Sequence, residues 1–443
     1  MNIKTATTLS IFFIMLCTCT SNTDYDKVAA QKPEYLHRSV KKLTDVIVHD
    51  IFSPPVASRI YAYPSIAAYE VLHHEHPEYQ SLAGQLNSLS PTPQPTDDKE
   101  YCISLAGVHA FLAVSKAMIF SEQDIADFTK EIHEEYKKTG IPKRTFRNSI
   151  EYGEQVARHI LEWADKDGYK QTRTYPKFAI TDEEARWQPT PPAYMESIEP
   201  HWREIRPFVL DSAQQFVPTS PSPFDLSIGS TFRQEVMEVY ETVNNLTEEQ
   251  TEIASFWDCN PYVQHQTGHV MFATKKITPG GHWMGIAGIA TQSTDANIME
   301  SAATYASTAI TLADAFISCW DEKYRSNLIR PETIINEHID ENWTPLLQTP
   351  PFPEYTSGHS VISTAAALML THLHGENFIF EDDVEVEYGL PKRSFTSFKK
   401  ASDEAAISRL YGGIHYMPAI THGVEQGQQV GNFIINNIQI KNE

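Results

Sequence analysis

Apolar residues recur at three- and four-residue steps through much of this chain, the spacing that gathers them on one face of an α-helix. The pattern predicts helices over Tyr35 to Ile51, Ile66 to Leu72, Ser104 to Phe120, Glu122 to Lys138 and Asn148 to Lys166. It returns over Phe232 to Leu246, Glu248 to Asp258, Asn297 to Trp320, Val361 to His372 and Ser397 to Tyr411. Alternating, strand-like runs are scarce, and no internal repeat is present. Prolines between Ser88 and Asp98 predict a loop, and prolines recurring from Gln188 to Phe224 predict a long irregular crossing over the surface or a pocket mouth. The fold class that follows is all-α: a multi-helix bundle in one domain over residues 25–443, with 226–443 as its catalytic core and the N-terminal helices around it.

The first residues break the pattern. Lys4 precedes an apolar run from Leu9 to Cys17, too short to span a bilayer and of the length of a secretory signal. Leu16-Cys17-Thr18-Cys19 then reads as a loose bacterial lipoprotein processing site, with residues 1–19 as signal and Cys19 as the lipidated residue. A plain cleaved signal is the simpler alternative. The expectation is an exported protein, in the periplasm or cell envelope, whose membrane contact is confined to that N-terminal anchor. After Cys19 only Cys102, Cys259 and Cys319 remain, without metal-site spacing and implying no disulfide framework.

A formal charge of −22 argues against nucleic acid or anionic membrane surfaces as partners. Against that background a grouping of cations stands out. Lys323 and Arg330-Pro331 come first, seven residues apart, which on one helix separates them by only about 20°. Pro331 disfavours helix at Arg330, so the helix is expected to stop there with the guanidinium at its end. Ser357-Gly358-His359 follows, in a loop entering a helix, where free backbone N–H groups and Gly358 let an anion approach closely. Ser408-Arg409 and His415 close the set, with Gly412-Gly413 between them to re-aim the backbone.

Each cluster alone has a plainer reading: Ser357 as a helix N-cap, Lys323 and Arg330 as a solvated helix face, His359 and His415 as locally satisfied histidines. Together they supply three cations, a hydroxyl, a helix start and two imidazoles, which is equipment for a tetrahedral oxyanion. His265, His269 and the turn Pro279-Gly280-Gly281-His282 follow Asp258 closely and read as loop capping or exposed groups rather than pocket lining.

Lysine, six residues, Arg-Pro; then Ser-Gly-His; then Ser-Arg, five residues, His: this order resembles the type 2 phosphatidic acid phosphatase superfamily and, within it, the vanadium-dependent haloperoxidases. Trp320 and Phe352-Pro353-x-Tyr355 favour that branch, and Trp320 with Phe352 resembles the chloroperoxidase type of pocket. The resemblance implies a helical bundle of the haloperoxidase and acid phosphatase type that binds vanadate. His415 would ligate the vanadium, while Lys323, Arg330, Ser357, the Gly358 N–H and Arg409 bond the oxygens. His359 would take a proton from hydrogen peroxide, and Lys323 would polarise the peroxide toward attack by halide, giving a hypohalous acid equivalent. Phe256-Trp257-Asp258 is similar to an upstream segment whose aspartate pairs with the last arginine, here Arg409.

Two positions depart from the pattern. Thr356 stands where the family has proline, and Ala419 where it has an aspartate that orients the histidine. In a phosphatase that carboxylate activates the nucleophile, so its absence counts against phosphate chemistry and leaves a backbone carbonyl to orient His415. The alternatives are a soluble acid phosphatase with His415 as nucleophile and His359 as acid, and a non-catalytic oxyanion-binding lipoprotein. No run after the leader has the length of a membrane helix, which excludes the multi-span lipid phosphatases of the superfamily.

Overall fold

The computed structural model describes residues 25–442 apart from 262, 268 and 269. The leader with Cys19, and His269, lie outside the described residues. The described chain is mostly helical, with two short antiparallel hairpins, Val263–Thr267 with Val270–Thr274 and Phe380–Asp382 with Arg393–Phe395. None of its helices is long and apolar enough to cross a membrane.

The spine is the helix Ile298–Ser326, in which every residue from Ser301 to Lys323 is buried. A helix buried all round has no polar face to give it amphipathic periodicity. Its small Ala, Ser and Thr side chains let neighbours approach, and their hydroxyls can bond back to the helix, as Thr311 does to Ser307. The spine packs against Pro54–Leu72, which contacts Ile103–Met118 and Lys143–Ala164, and against Gly358–His374, which contacts Phe398–Tyr411 and Met417–Asn437. These two helical groups share the spine.

Several elements differ from the periodicity reading. The second helix begins at Pro54, not Ile66, with prolines in its first turn, where a missing N–H costs no hydrogen bond, and Pro64 inside it. Nearly all of its side chains are buried, and that packing outweighs the bond Pro64 cannot make. Pro279–Ser293, read as a turn, is a helix capped by the Thr278 side chain on the Gly281 N–H. Pro331–His338 and Met417–Asn437 are helices that the pattern does not predict. In Met417–Asn437 the reason is a glycine stripe. A Cβ at Gly427 would lie 2.3 Å from the Val361 carbonyl, and one at Gly431 3.2 Å from Ala365 Cα, so glycines stand where Gly358–His374 presses closest.

The proline-rich crossing is irregular apart from the short turn Trp202–Glu204. It is pinned to the spine by Asp314, whose buried carboxylate accepts the N–H groups of Phe208, Val209 and Leu210 at 2.6 to 3.0 Å. Burial pushes that carboxyl up to about 6, against the stabilising pull of the three donors. Further upstream the crossing is tied by Trp320 Nε1 and the Tyr324 hydroxyl, which both donate to the Ile198 carbonyl. Cys102, Cys259 and Cys319 are buried free thiols.

Candidate active site

Lys323 and Arg330 meet, but not on one helix. The spine ends at Ser326, Asn327 takes a left-handed conformation, and Arg330 is the extended N-cap residue of the next helix, Pro331–His338. Pro331 therefore starts a helix rather than stopping one. Arg330 is fully buried, with Nε donating to the Phe352 carbonyl at 2.9 Å and one terminal nitrogen to the Ile414 carbonyl at 2.7 Å. The same nitrogen lies 3.3 Å from His415 Nε2, and Nη2 has no partner.

The 352–357 loop wraps around Lys323. The ammonium donates to the carbonyls of Pro353, Glu354 and Thr356 at 3.1, 3.1 and 2.6 Å. It also lies 5.0 Å from the Phe352 ring centroid, and the Arg330 guanidinium carbon lies 5.1 Å from the same ring. Phe352 in turn packs on Trp320 at 5.0 Å, so one aromatic wall serves two buried cations. At the end of the loop Ser357 caps Gly358–His374, accepting the Ser360 N–H, while its own N–H donates to the Ala419 carbonyl at 2.9 Å. Ala419 thus anchors the loop through its backbone.

The third cluster forms where Phe398–Tyr411 ends. Gly413 adopts φ of +74°, a conformation that glycine tolerates without strain, and the turn carries the chain back to His415. Arg409 donates to the Trp257 carbonyl at 2.7 Å and to Ser408 Oγ at 2.9 Å. The Trp257 backbone also hydrogen-bonds His359, whose Nε2 has no partner. Asp258 forms its ion pair with Lys276 at 2.6 Å, and it acts on Arg409 through its field, raising the guanidinium pKa that burial lowers.

The residue that sequence reasoning missed is Glu354. Its Oε1 lies 2.9 Å from His415 Nδ1 and accepts the Tyr416 N–H at 2.9 Å, with the side chain fully buried. The carboxylate absent at Ala419 is therefore supplied from a loop 61 residues upstream of His415. An acid inside Phe-Pro-x-Tyr, in the middle of the cation clusters, was the available signal. Burial pushes the Glu354 carboxyl up to about 7, while Arg330 and Lys323 pull it down. Burial likewise pushes Lys323 down to about 8 and Arg330 down to about 10. His415 is held well below the usual imidazole range by burial and then by Arg330 and Lys323, and His359 by burial and then by Arg409.

A cavity of about 310 Å³ opens on this set, walled by Gly358, His359, Arg409 and His415 together with Trp320, Phe352 and Asp258. Ile51, Ser53 and Pro54, at the junction of the first two long helices, and Met195 and Ile198 from the proline-rich crossing also line it. The cavity is thus lined from both sides of position 226. His282 is neither exposed nor in the wall. It is buried behind Trp257, stacked on that ring at 4.6 Å.

A solved structure of a bacterial vanadium-dependent iodoperoxidase is 53% identical to this chain, covers 93% of it and 98% of its own length, and superposes with a TM-score of 0.89. The chain belongs to the vanadium-dependent haloperoxidase family. Residues 303–442, which hold all three motif clusters, match the family model described as the VCPO second helical-bundle domain. Holo-type and apo-type structures of a bacterial vanadium-dependent chloroperoxidase, 14% and 15% identical, share the fold with TM-scores of 0.66 and 0.64. They cover 94% and 87% of this chain, and 96% and 95% of their own. No curated protein matches the chain by sequence.

The site of this haloperoxidase chain fits a tetrahedral oxyanion on its own chemistry. Lys323, Arg330 and Arg409 are buried around His415, with Glu354 beside the first two and Asp258 acting on the third, so an oxyanion entering there would meet three cations that burial has stripped of water. Arg330 Nη2 and His359 Nε2 are buried without partners, and each such group costs about 1–3 kcal/mol unless something bonds it. Nδ1 of His415 donates to Glu354, which leaves Nε2 with the lone pair a metal centre requires.

Proposed function

We infer that this protein oxidises halide with hydrogen peroxide at a vanadate held by His415, with iodide as its first substrate. What carries the reading is the Glu354–His415 pair set among three buried cations, in a chain of this family. His415 Nε2 would bind the vanadium. Lys323, Arg330, Arg409, Ser357 and the Gly358 N–H would neutralise and bond its oxygens. Bound vanadate supplies a Lewis-acidic centre that activates peroxide without itself changing oxidation state.

The side chains account for the rest. Glu354 fixes the His415 tautomer, and the low basicity of His415 keeps Nε2 unprotonated at neutral pH. Burial, and then Arg409, keep His359 neutral, so its partnerless Nε2 can accept a proton from hydrogen peroxide. Trp320 and Phe352 wall the cavity with apolar surface and leave halide to compete with little water. Iodide is placed first because the 53% identical relative is an iodoperoxidase.

Purified protein loaded with orthovanadate should turn over iodide with hydrogen peroxide, and bromide more slowly. Failure to oxidise any halide after verified loading overturns the reading. The Glu354–His415 pair also removes the sequence argument against a phosphatase, since the orienting carboxylate is present after all. Phosphate-ester hydrolysis without vanadate, inhibited when vanadate is added, would identify that activity. We further propose export through the leader and lipidation at Cys19, which cell fractionation of the Cys19→Ala protein tests by loss from the membrane fraction.

A further inference from the structure

Against the Trp257 ring lies a polar cluster that the oxyanion chemistry does not use. His282 sits in the first turn of Pro279–Ser293, Cys259 just beyond Glu248–Phe256, and Glu385 in the turn after Phe380–Asp382. All three are buried, and their ligand atoms face one another. His282 Nδ1 is 3.5 Å from Cys259 Sγ and 3.0 Å from Glu385 Oε1, and Sγ is 3.7 Å from that oxygen. Tetrahedral zinc bonds to sulfur, nitrogen and oxygen imply ligand-to-ligand separations of about 3.4–3.6 Å. The other ring nitrogen, Nε2, lies 2.8 Å from Asp382 Oδ2, while Asp382 Oδ1 accepts the Val384 N–H at 3.1 Å. A ligating histidine characteristically donates its second N–H to a carboxylate in this way.

We propose that Cys259, His282 and Glu385 form a binding site for a divalent cation of the zinc class, with Asp382 orienting the imidazole. The donor set mixes sulfur, nitrogen and oxygen, which suits a borderline-soft ion and not magnesium or calcium. Binding leaves the buried charge unchanged. One dication enters while one proton leaves the thiol and one leaves Nδ1, so thiolate, neutral imidazole and carboxylate surround the ion. Cys259 also lines the cavity, which gives the ion a path in. Once bound, it would join three chain segments around Trp257, whose carbonyl receives Arg409.

The test uses the full chain, stripped of metal and titrated with Co²⁺ as a spectroscopic probe. One equivalent should bind with a thiolate-to-cobalt charge-transfer band, release about two protons, and be displaced by Zn²⁺; Zn²⁺ should also raise the melting temperature. Cys259→Ser should lose the band, whereas Cys319→Ser and His415→Ala should keep it. Glu385→Gln, which preserves shape, should keep the band while affinity falls about tenfold or more. Co²⁺ bound without a charge-transfer band, a band that survives Cys259→Ser, or no binding by the folded protein would each overturn the proposal.

Discussion

Two buried histidines in this protein are built on the same unit and carry opposite charge preferences. His415 and His282 each face a buried carboxylate, Glu354 at 2.9 Å and Asp382 at 2.8 Å. What surrounds each pair differs. At His415 the second nitrogen faces Arg330, with Lys323 and Arg409 also near, and burial followed by those cations holds the imidazole well below its usual pKa. At His282 it faces Glu385 and the Cys259 thiol, and although burial opposes the charged form, Asp382 and its neighbours lift the pKa well above the usual value. A histidine–carboxylate pair is therefore not by itself a functional signature. Burial and the summed charges around the ring determine whether the imidazole is held neutral or keeps its proton.

The strongest way to break this contrast is to remove one histidine. His415→Ala should abolish both vanadate binding, read by equilibrium dialysis, and halide oxidation, while the Co²⁺ spectrum at His282 stays intact. Loss of both signals would mean that the two regions are one coupled site. Glu354→Gln is the next largest change: vanadate affinity should fall roughly 10–100-fold, as for other outer partners of ligating histidines. An unchanged affinity would show that Glu354 does not set the tautomer.

Acidity sharpens the same comparison. Glu354, raised to about 7, is ionised only above that value and then accepts Nδ1–H; Lys323, lowered to about 8, is charged only below that value. Vanadate affinity should therefore peak between about pH 7 and 8 and fall on either side by up to about tenfold per pH unit, the limit for one linked proton. Glu354→Gln should remove the acid limb alone. Asp258→Asn should have the smallest effect. Its ion pair with Lys276 is partly exposed and such pairs contribute about 0–1 kcal/mol, so affinity should change by a few-fold at most. A large loss in that variant would reinstate the pairing with Arg409 that the sequence resemblance implied.

Packing gives a separate test of how the first histidine is placed. Gly427→Ala sets a methyl 2.3 Å from the Val361 carbonyl, so Met417–Asn437 must move away from Gly358–His374. Overpacking of this kind costs about 1–3 kcal/mol, measurable by denaturant unfolding. It should also weaken vanadate binding, because Ser357 is tied to the Ala419 carbonyl across that same helix pair.

Much of the site was legible from local signals. The Ser357 cap, the Gly412-Gly413 turn and the order of the cations are properties of short segments, and the structure brings Gly358, His359, Arg409 and His415 from those segments to one cavity. Less legible was everything that depends on a partner far along the chain. Lys323 and Arg330 were expected on one helix face, yet a left-handed Asn327 separates them and the approach is made through Phe352. Pro279-Gly280-Gly281-His282 looked like a turn, because its helix is secured by a cap and by burial rather than by helix-forming residues. Met417–Asn437 escaped notice since its glycines, poor helix formers alone, serve contact with another helix.

The sequence by itself determined the helical class and named the cations, serine and histidines of the candidate site, for both follow from periodicity and from motifs a few residues long. Only the tertiary structure decided that Glu354 replaces the carboxylate missing at Ala419, that the N-terminal helices wall the cavity, and that His282 lies among acids rather than on the surface. Each of these is a pairing between segments tens to hundreds of residues apart. Helix packing fixes such pairings, and the protonation of a buried group follows from the sum of neighbours that packing brings to it.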